Sequence, residues 1–211
     1  RLAELFALHK RGVAEAENDH ADRAIEIFEQ VAADLPDGAA PLRNIAIVRY
    51  LAYKKDPQNA ELIQNMEEAF AEWEPLETDR VVYFRMLGAK LAFQAQVEPE
   101  LFEPTMEAYR AAVELAPDDP SLWYAWWDAT NYTFRESIVQ QGPPAIAKAF
   151  ELQPDNATLA LLHAGYQVEE QDASAVETYD IAEELLQPTR HTIEVELRNS
   201  GIESLEGVFE S

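Results

Sequence analysis

Prolines recur along the chain at intervals of roughly 34 to 42 residues, which is the range of helical repeats. They are Pro36, Pro75, Pro117, Pro154 and Pro188. Three of them precede Asp, in the strings LPDG, APDDP and QPDN. A proline just past a helix end cannot continue that helix, and an Asp or Asn after it can cap the next one. Each interval therefore predicts two helices and two short turns.

The second helix of several intervals has a pattern of small and aromatic residues at matching offsets before the boundary. Its members are Ala24, Phe28 and Val31 before Pro36, Tyr109 and Ala112 before Pro117, and Ala175, Tyr179 and Ala182 before Pro188. A helix pair with such a face cannot bury its own apolar side and must stack on a neighbour. The pattern predicts a row of stacked helix pairs.

On these residues the chain resembles the tetratricopeptide repeat (TPR) family, whose helix–turn–helix units are about 34 residues long. The matching residues are Leu8, Gly12, Ala24, Phe28 and Pro36 in the first unit, and Phe84, Leu87, Gly88, Leu91, Tyr109, Ala112 and Pro117 in the third. The resemblance extends from about Leu5 to Pro188. It implies an all-α fold, an α-solenoid of about five antiparallel helix pairs, with a repeat domain over residues 1–188.

The last residues, 189–211, have a different pattern. Ile193, Val195 and Leu197 alternate with charged residues, which is the period of a half-buried strand, and residues 199–201 form a predicted turn. We expect a β-like extension here, either a hairpin or the opening strands of an immunoglobulin-like β-domain. The alternative is a capping helix with Ile193 and Leu197 on one face.

Charge and composition limit the classes of partner. The 211 residues include 16 basic and 40 acidic side chains, a net charge of −24, with 47% hydrophobic residues and no cysteine. Such a charge argues against nucleic acid and against anionic membranes, which both require a basic face. No apolar run approaches the length of about 18 residues that indicates a membrane span. Because the chain begins at Arg1, we expect a processed piece. An exported or periplasmic location is slightly favoured over a cytoplasmic one.

No catalytic constellation is visible. The four histidines are scattered, and the motifs of zinc proteases, serine hydrolases and nucleotide-binding loops are absent from the sequence. Neighbouring carboxylates such as Glu67 and Glu68 do not face each other on a helix, so they are poor acid–base pairs. Asn18, Asp19 and His20 fit ordinary turn chemistry. The sequence predicts no enzyme, no cofactor and no metal site.

The segment Trp123–Phe134 is unusually rich in aromatic residues. It contains three of the four tryptophans, together with Tyr124, Tyr132 and Phe134. Aromatic residues at helical spacing are most often part of the core, but six exceed what one buried face holds. Exposed Trp and Tyr rings also stack on sugars, so a carbohydrate-binding module is the alternative function.

The resemblance also implies a concave groove lined by the first helix of each unit. Carried over position by position, it yields a candidate partner-binding set of Arg43, Tyr50, Arg85, Tyr124, Asp128, Asn131 and Gln167. The guanidinium of arginine can form two parallel hydrogen bonds with a carboxylate. The equal alternative is that both arginines pair with nearby Glu. We expect a non-enzymatic scaffold or accessory subunit of a multi-subunit assembly that binds a protein or an extended peptide through this groove and the C-terminal tail.

Overall fold

The structure is a computed structural model that describes residues 1–133 and 136–199. Within these residues it is all-α, with helices in the chain order α1 Leu2–Glu17, α2 Ala21–Asp34, α3 Ala39–Lys55, α4 Ala60–Trp73, α5 Arg80–Gln94, α6 Phe102–Leu115, α7 Pro120–Thr130, α8 Glu136–Val139, α9 Gly142–Leu152, α10 Ala157–Glu169 and α11 Ala175–Asn199. Single 3₁₀ turns precede α5 and α6, at Glu74–Leu76 and Pro99–Leu101. Apart from the one-turn helix α8, the helices follow one another as five pairs, which confirms the predicted fold class.

The predicted repeat boundaries coincide with helix ends at three prolines. Helices α2, α6 and α9 end just before Pro36, Pro117 and Pro154. Asp119 is the N-cap of α7, and its side chain accepts a hydrogen bond from the Ser121 N–H. Asn156 caps α10 in the same way. After Pro36 the N-cap is Gly38 instead, which offers no side chain. Local capping therefore fixes where the fourth and fifth pairs begin.

The described residues form two compact units, Arg1–Gln94 and the residues from Ala95 onward. In the first unit, α1 to α5 bury a core that includes Phe28, Met66 and Trp73, each of which is 0% exposed. The ring of Phe28 lies against Gly12, where an added Cβ would be 2.6 Å from the ring. The two residues that match the family at these positions thus pack directly on each other.

In the second unit, a hydrophobic cluster lies where α7, α9 and α10 pack together. Trp127, Ile146 and Leu159 are buried there. Ala175 and Ala182 of α11 are also buried, whereas Tyr179 is 42% exposed. The small-aromatic-small pattern therefore makes a buried face only where a further helix covers it. No described helix is long and apolar enough to cross a membrane.

The structure corrects the prediction for the last part of the chain. Helix α11 continues through Pro188 to Asn199, so Pro188 does not end a helix and the residues from Ile193 to Leu197 are not a strand. Ile193 and Leu197 are four residues apart, which also fits a helix, and five residues of alternation are too few to separate the two periods. The second half of the predicted hairpin, residues 200–211, lies outside the described residues, and the extension 189–211 as a separate domain stays a prediction.

Candidate functional site

The predicted groove residues fall into two sets, one in each compact unit. Arg43, Tyr50 and Arg85 belong to the first unit, and Tyr124, Asp128, Asn131 and Gln167 to the second.

Arg43 forms an ion pair within the fold. Its Nε donates to the Oε2 of Glu77 at 2.7 Å, and its side chain is 30% exposed against 2% for that of Glu77. Glu77 also accepts from the Trp73 indole N–H at 2.8 Å and from the Asp79 backbone N–H at 2.9 Å. Burial by itself raises the pKa of Glu77, but these hydrogen bonds and the Arg43 charge lower it overall. For Arg43, pairing with a nearby Glu is what the structure shows.

Tyr50 connects the first helices of the second and third pairs. It is 7% exposed, and its hydroxyl donates to the Ala89 carbonyl oxygen of α5 at 2.9 Å. Its ring packs edge-on against Phe93, with centroids 6.5 Å apart, and Lys54 lies over both rings. Tyr50 therefore joins α3 to α5 and offers little surface to a partner.

Arg85 differs from Arg43 because its side chain is exposed and forms no ion pair with any residue in the described part of the chain. It lies one helical turn before Ala89, next to the contact that Tyr50 makes. Of the two predicted arginines, Arg85 is the one available to bind a carboxylate.

An apolar cleft of about 230 Å³ lies between α1 and α3. Val13 and Ala16 line it from α1, and Asn44, Ile47 and Leu51 from α3. Leu51 is 50% exposed. Both helices are the first of their pairs. Leu51 is not among the predicted site residues; its only signal in the sequence is that it follows Ile47 by one helical turn.

In the second unit, Tyr124, Asp128 and Asn131 recur at helical spacing along α7 and its C-cap. Tyr124 is 37% exposed and its ring centroid is 5.3 Å from that of Trp127. Asn131 is exposed, and its amide donates to the Trp127 and Asp128 carbonyl oxygens at the end of the helix. Asp128 lies between them and is half-buried. Burial raises the pKa of its carboxyl group.

Gln167 lies near the end of α10 and contacts the turn that follows. Its Nε2 donates to Ser174 Oγ at 2.7 Å, while its Oε1 is buried without a hydrogen-bond partner among the described residues. The Ser174 contact fixes the amide against the α10–α11 turn.

A second cleft, of about 300 Å³, lies between the beginnings of α7 and α10. Ser121 and Tyr124 line it from α7, and Asn156 and Thr158 from the start of α10. Like the cleft between α1 and α3, it separates the first helices of two successive pairs. Asn156 and Thr158 were not predicted as site residues, because only their neighbour Ala157 occupies an inner position in the family pattern.

The aromatic segment contributes mainly to packing. Trp127 is 9% exposed and its indole N–H donates to the Tyr166 hydroxyl at 3.0 Å. Trp123 stacks on Trp126 with ring centroids 5.6 Å apart and planes 7° apart. Tyr124 and Tyr132 remain exposed, at 37% and 47%. Phe134 lies outside the described residues. The carbohydrate alternative stays a prediction that now depends on two tyrosines, since the tryptophan faces contact each other or the core.

Comparison with known proteins identifies the fold. No protein-family model and no curated protein matches the sequence at a significant level. MamA from Desulfovibrio magneticus RS-1, residues 41 to the end, superposes with a TM-score of 0.63 at 18% identity, over 87% of this chain and 96% of that one. A double mutant of MamA RS-1 gives a TM-score of 0.64 at 17% identity, over 88% and 96%.

A further match is YrrB, described as a TPR protein with an unusual peptide-binding site. Its TM-score is 0.56 at 16% identity, over 91% of this chain and 90% of that one. At these identities the likeness concerns the fold alone, and it agrees with the helix pairs and the Gly12–Phe28 packing described above. This chain has the tetratricopeptide-repeat fold, an all-α solenoid of helix pairs.

Proposed function

We propose that this chain is a non-enzymatic protein-interaction scaffold that binds an extended peptide on the faces of its first helices. The observation that carries the proposal is that each unit has an open cleft between the first helices of two successive pairs, α1 and α3 in one and α7 and α10 in the other. Clefts lined by apolar groups with a few polar ones are the usual form of ligand sites. YrrB supports this by analogy, since it is described as having a peptide-binding site.

The first-unit cleft has the composition of a side-chain pocket. Val13, Ala16 and Ile47 supply apolar walls, and Asn44 supplies an amide, although it is also within 3.1 Å of His9 Nε2. Arg85, exposed and without an ion-pair partner among the described residues, adds one free positive charge on α5. A peptide bound here would place an apolar side chain in the cleft and a carboxylate on Arg85. Binding of this kind would suit an accessory subunit of a larger assembly.

The experiment is a peptide selection followed by measured affinities. A random peptide library displayed on phage is selected against the full chain, and enriched peptides are synthesised and titrated by fluorescence polarisation. Peptides that use the first-unit cleft should bind Leu51→Glu and Arg85→Ala about tenfold more weakly, the scale of one interface anchor.

Matched controls carry the same changes on the second helix of a pair. Leu115 is 55% exposed and Arg110 is exposed, both on α6. Leu115→Glu and Arg110→Ala should change affinity by less than about twofold. If the α6 variants weaken binding as much as the cleft variants, or if selection enriches no peptide over an unrelated helical protein, the proposal is wrong.

A further inference from the structure

The two halves of the chain differ strongly in charge. Residues 1–94 contain 11 basic and 17 acidic side chains, whereas residues 95–211 contain 5 basic and 23 acidic ones. A segment that binds the second half through its charge would therefore have to be basic. Charge excess alone does not define a site, so a specific carboxylate with a specific geometry is needed.

Asp128 is such a carboxylate. It lies on the third turn of α7 and is half-buried. Its carboxylate accepts no hydrogen bond from, and forms no ion pair with, any residue that the structure describes. Asp119, another half-buried acid at the start of the same helix, has a partner, because it accepts from the Ser121 backbone N–H and hydroxyl. A half-buried charge without a partner lowers stability, and residues that break such a rule are found mainly at functional sites.

Two exposed tyrosines flank this carboxylate along the chain. Tyr124 precedes Asp128 by one helical turn, and Tyr132 follows it by four residues, just after the C-cap of α7. Tyr124 and Asp128 are four residues apart on α7, so they lie on the same face of the helix. The pKa of Tyr132 is raised first by the charge of Asp128, and further by burial and by Tyr124. Tyrosine faces attract cations and can add to the attraction of a carboxylate.

We propose that Asp128, with the rings of Tyr124 and Tyr132, forms a subsite for a lysine or arginine side chain of the bound peptide. The inference rests on the proposed function, because it names the chemistry of the segment that the second unit binds. A cation here would supply the partner that Asp128 lacks within the described chain. The segment that the second unit binds is thus basic, which is the charge that residues 95–211 favour.

The neighbouring cleft sets the spacing of the peptide. Tyr124 lines the cleft between α7 and α10, together with Ser121, Asn156 and Thr158. One helical turn, about 6 Å for four residues, separates Tyr124 from Asp128. An extended peptide rises about 3.3 Å per residue and points alternate side chains to one side. The residue that enters the cleft and the basic residue on Asp128 should therefore be two positions apart.

The test uses the full chain and three labelled decapeptides in which serine alternates with lysine, with glutamine or with glutamate. Binding is measured by fluorescence polarisation in about 0.3 M NaCl, where charges more than about 6 Å apart are largely screened. The lysine peptide should bind at least about tenfold more tightly than the glutamine peptide. The glutamate peptide, which has no apolar side chain for the first-unit cleft, should bind no more tightly than the glutamine peptide. An arginine–serine peptide should behave like the lysine peptide.

Variants then locate the site. Asp128→Asn should weaken binding of the lysine peptide by about tenfold or more, whereas Asp180→Asn, the same change at an exposed position on α11, should alter it by less than about twofold. Tyr124→Leu should weaken it by about threefold. Circular dichroism of each variant checks the fold, which Asp128→Asn is expected to retain because it removes an unpaired charge.

The outcomes separate this inference from the proposed function. Equal effects of Asp128→Asn and Asp180→Asn would show attraction to the overall charge and overturn the subsite. Equal affinity for the lysine and glutamine peptides would overturn it as well. In both cases the proposed function stands if library peptides still respond to Leu51→Glu and Arg85→Ala, and it falls only if those peptides fail too.

Discussion

Arg43 on α3 and Glu77 in the turn before α5 form an ion pair in which the acid is almost fully enclosed. The Arg43 Nε is 2.7 Å from Glu77 Oε2, and the Glu77 side chain is 2% exposed. Because the same carboxylate also accepts from Trp73 and from the Asp79 backbone, it joins the end of α4, the turn and α3. This pair holds the second repeat to the start of the third.

Removal of the arginine should therefore destabilise the first unit. In Arg43→Ala, Glu77 keeps two hydrogen bonds but loses its counter-charge. Loss of one partner of a buried pair typically costs about 3 to 5 kcal/mol, and we expect about 2 kcal/mol here because Arg43 is partly exposed. Urea unfolding followed by circular dichroism measures the change. Arg85→Ala, at an exposed arginine without an ion pair, is the control and should stay within about 0.5 kcal/mol; a similar loss in both variants would contradict the role of the pair.

Two glycines in helices should respond to alanine in opposite directions. A Cβ at Gly12 would be 2.6 Å from the Phe28 ring, which is 0% exposed and cannot easily move. Gly12→Ala should lower the free energy of unfolding by about 1 to 3 kcal/mol, the range for overpacking. At Gly165, in the middle of α10, an added Cβ meets nothing within 4 Å, so Gly165→Ala should raise it by about 0.5 to 1 kcal/mol. Thermal unfolding of the two variants side by side is the measurement, and a shift of the same sign in both would refute the packing argument.

The features that the sequence predicts correctly are those that depend on nearby residues. Pro117 with Asp119, and Pro154 with Asn156, mark helix boundaries because a proline stop and a capping side chain act within a few residues. Pro188 is the exception. A proline removes one N–H donor and disfavours a helix, but α11 packs along α10 upstream of it, and packing can override a local preference.

The role of individual groove residues depends on contacts distant in sequence, so the sequence could not decide it. Arg43 occupies an inner position of the family pattern, yet its partner Glu77 follows it by 34 residues along the chain. Tyr50 likewise finds its acceptor at Ala89. Asp128 was a candidate by position alone, and only the structure shows that it is half-buried and has no partner among the described residues.

Stability should depend on pH through His163. Its Nδ1 is buried without a hydrogen-bond partner among the described residues, its ring is 5.5 Å from that of Phe150, and burial lowers its pKa although Asp172 opposes the shift. Since the unfolded chain then binds the proton more tightly, stability is highest above the unfolded pKa of about 6.5 and falls as the pH drops below it.

The measurement is the thermal midpoint of unfolding between about pH 7.5 and pH 5.5, for the native chain and for His163→Phe. The thermal midpoint of His163→Phe should fall less between these two pH values than that of the native chain. The remainder includes His9, whose pKa is lowered first by burial and then by the Arg43 charge. An NMR titration that places the His163 pKa at or above 6.5 would exclude this explanation.

Asp128→Asn should stabilise the chain at neutral pH while it weakens the proposed binding of a basic peptide. The pKa of Asp128 is raised by burial, so the folded state favours the protonated acid and the charged form destabilises it at pH 7. The neutral amide removes this penalty, and we expect a gain of about 0.5 to 1 kcal/mol, below the range for a fully buried unsatisfied group. The gain should shrink as the pH falls through the pKa of the folded state, because the native carboxyl is then neutral as well.

Urea unfolding at pH 7 and at about pH 3.5 measures the gain and its decrease, with Asp180→Asn as the exposed control. A loss of stability in Asp128→Asn at pH 7 would mean that Asp128 has a structural partner.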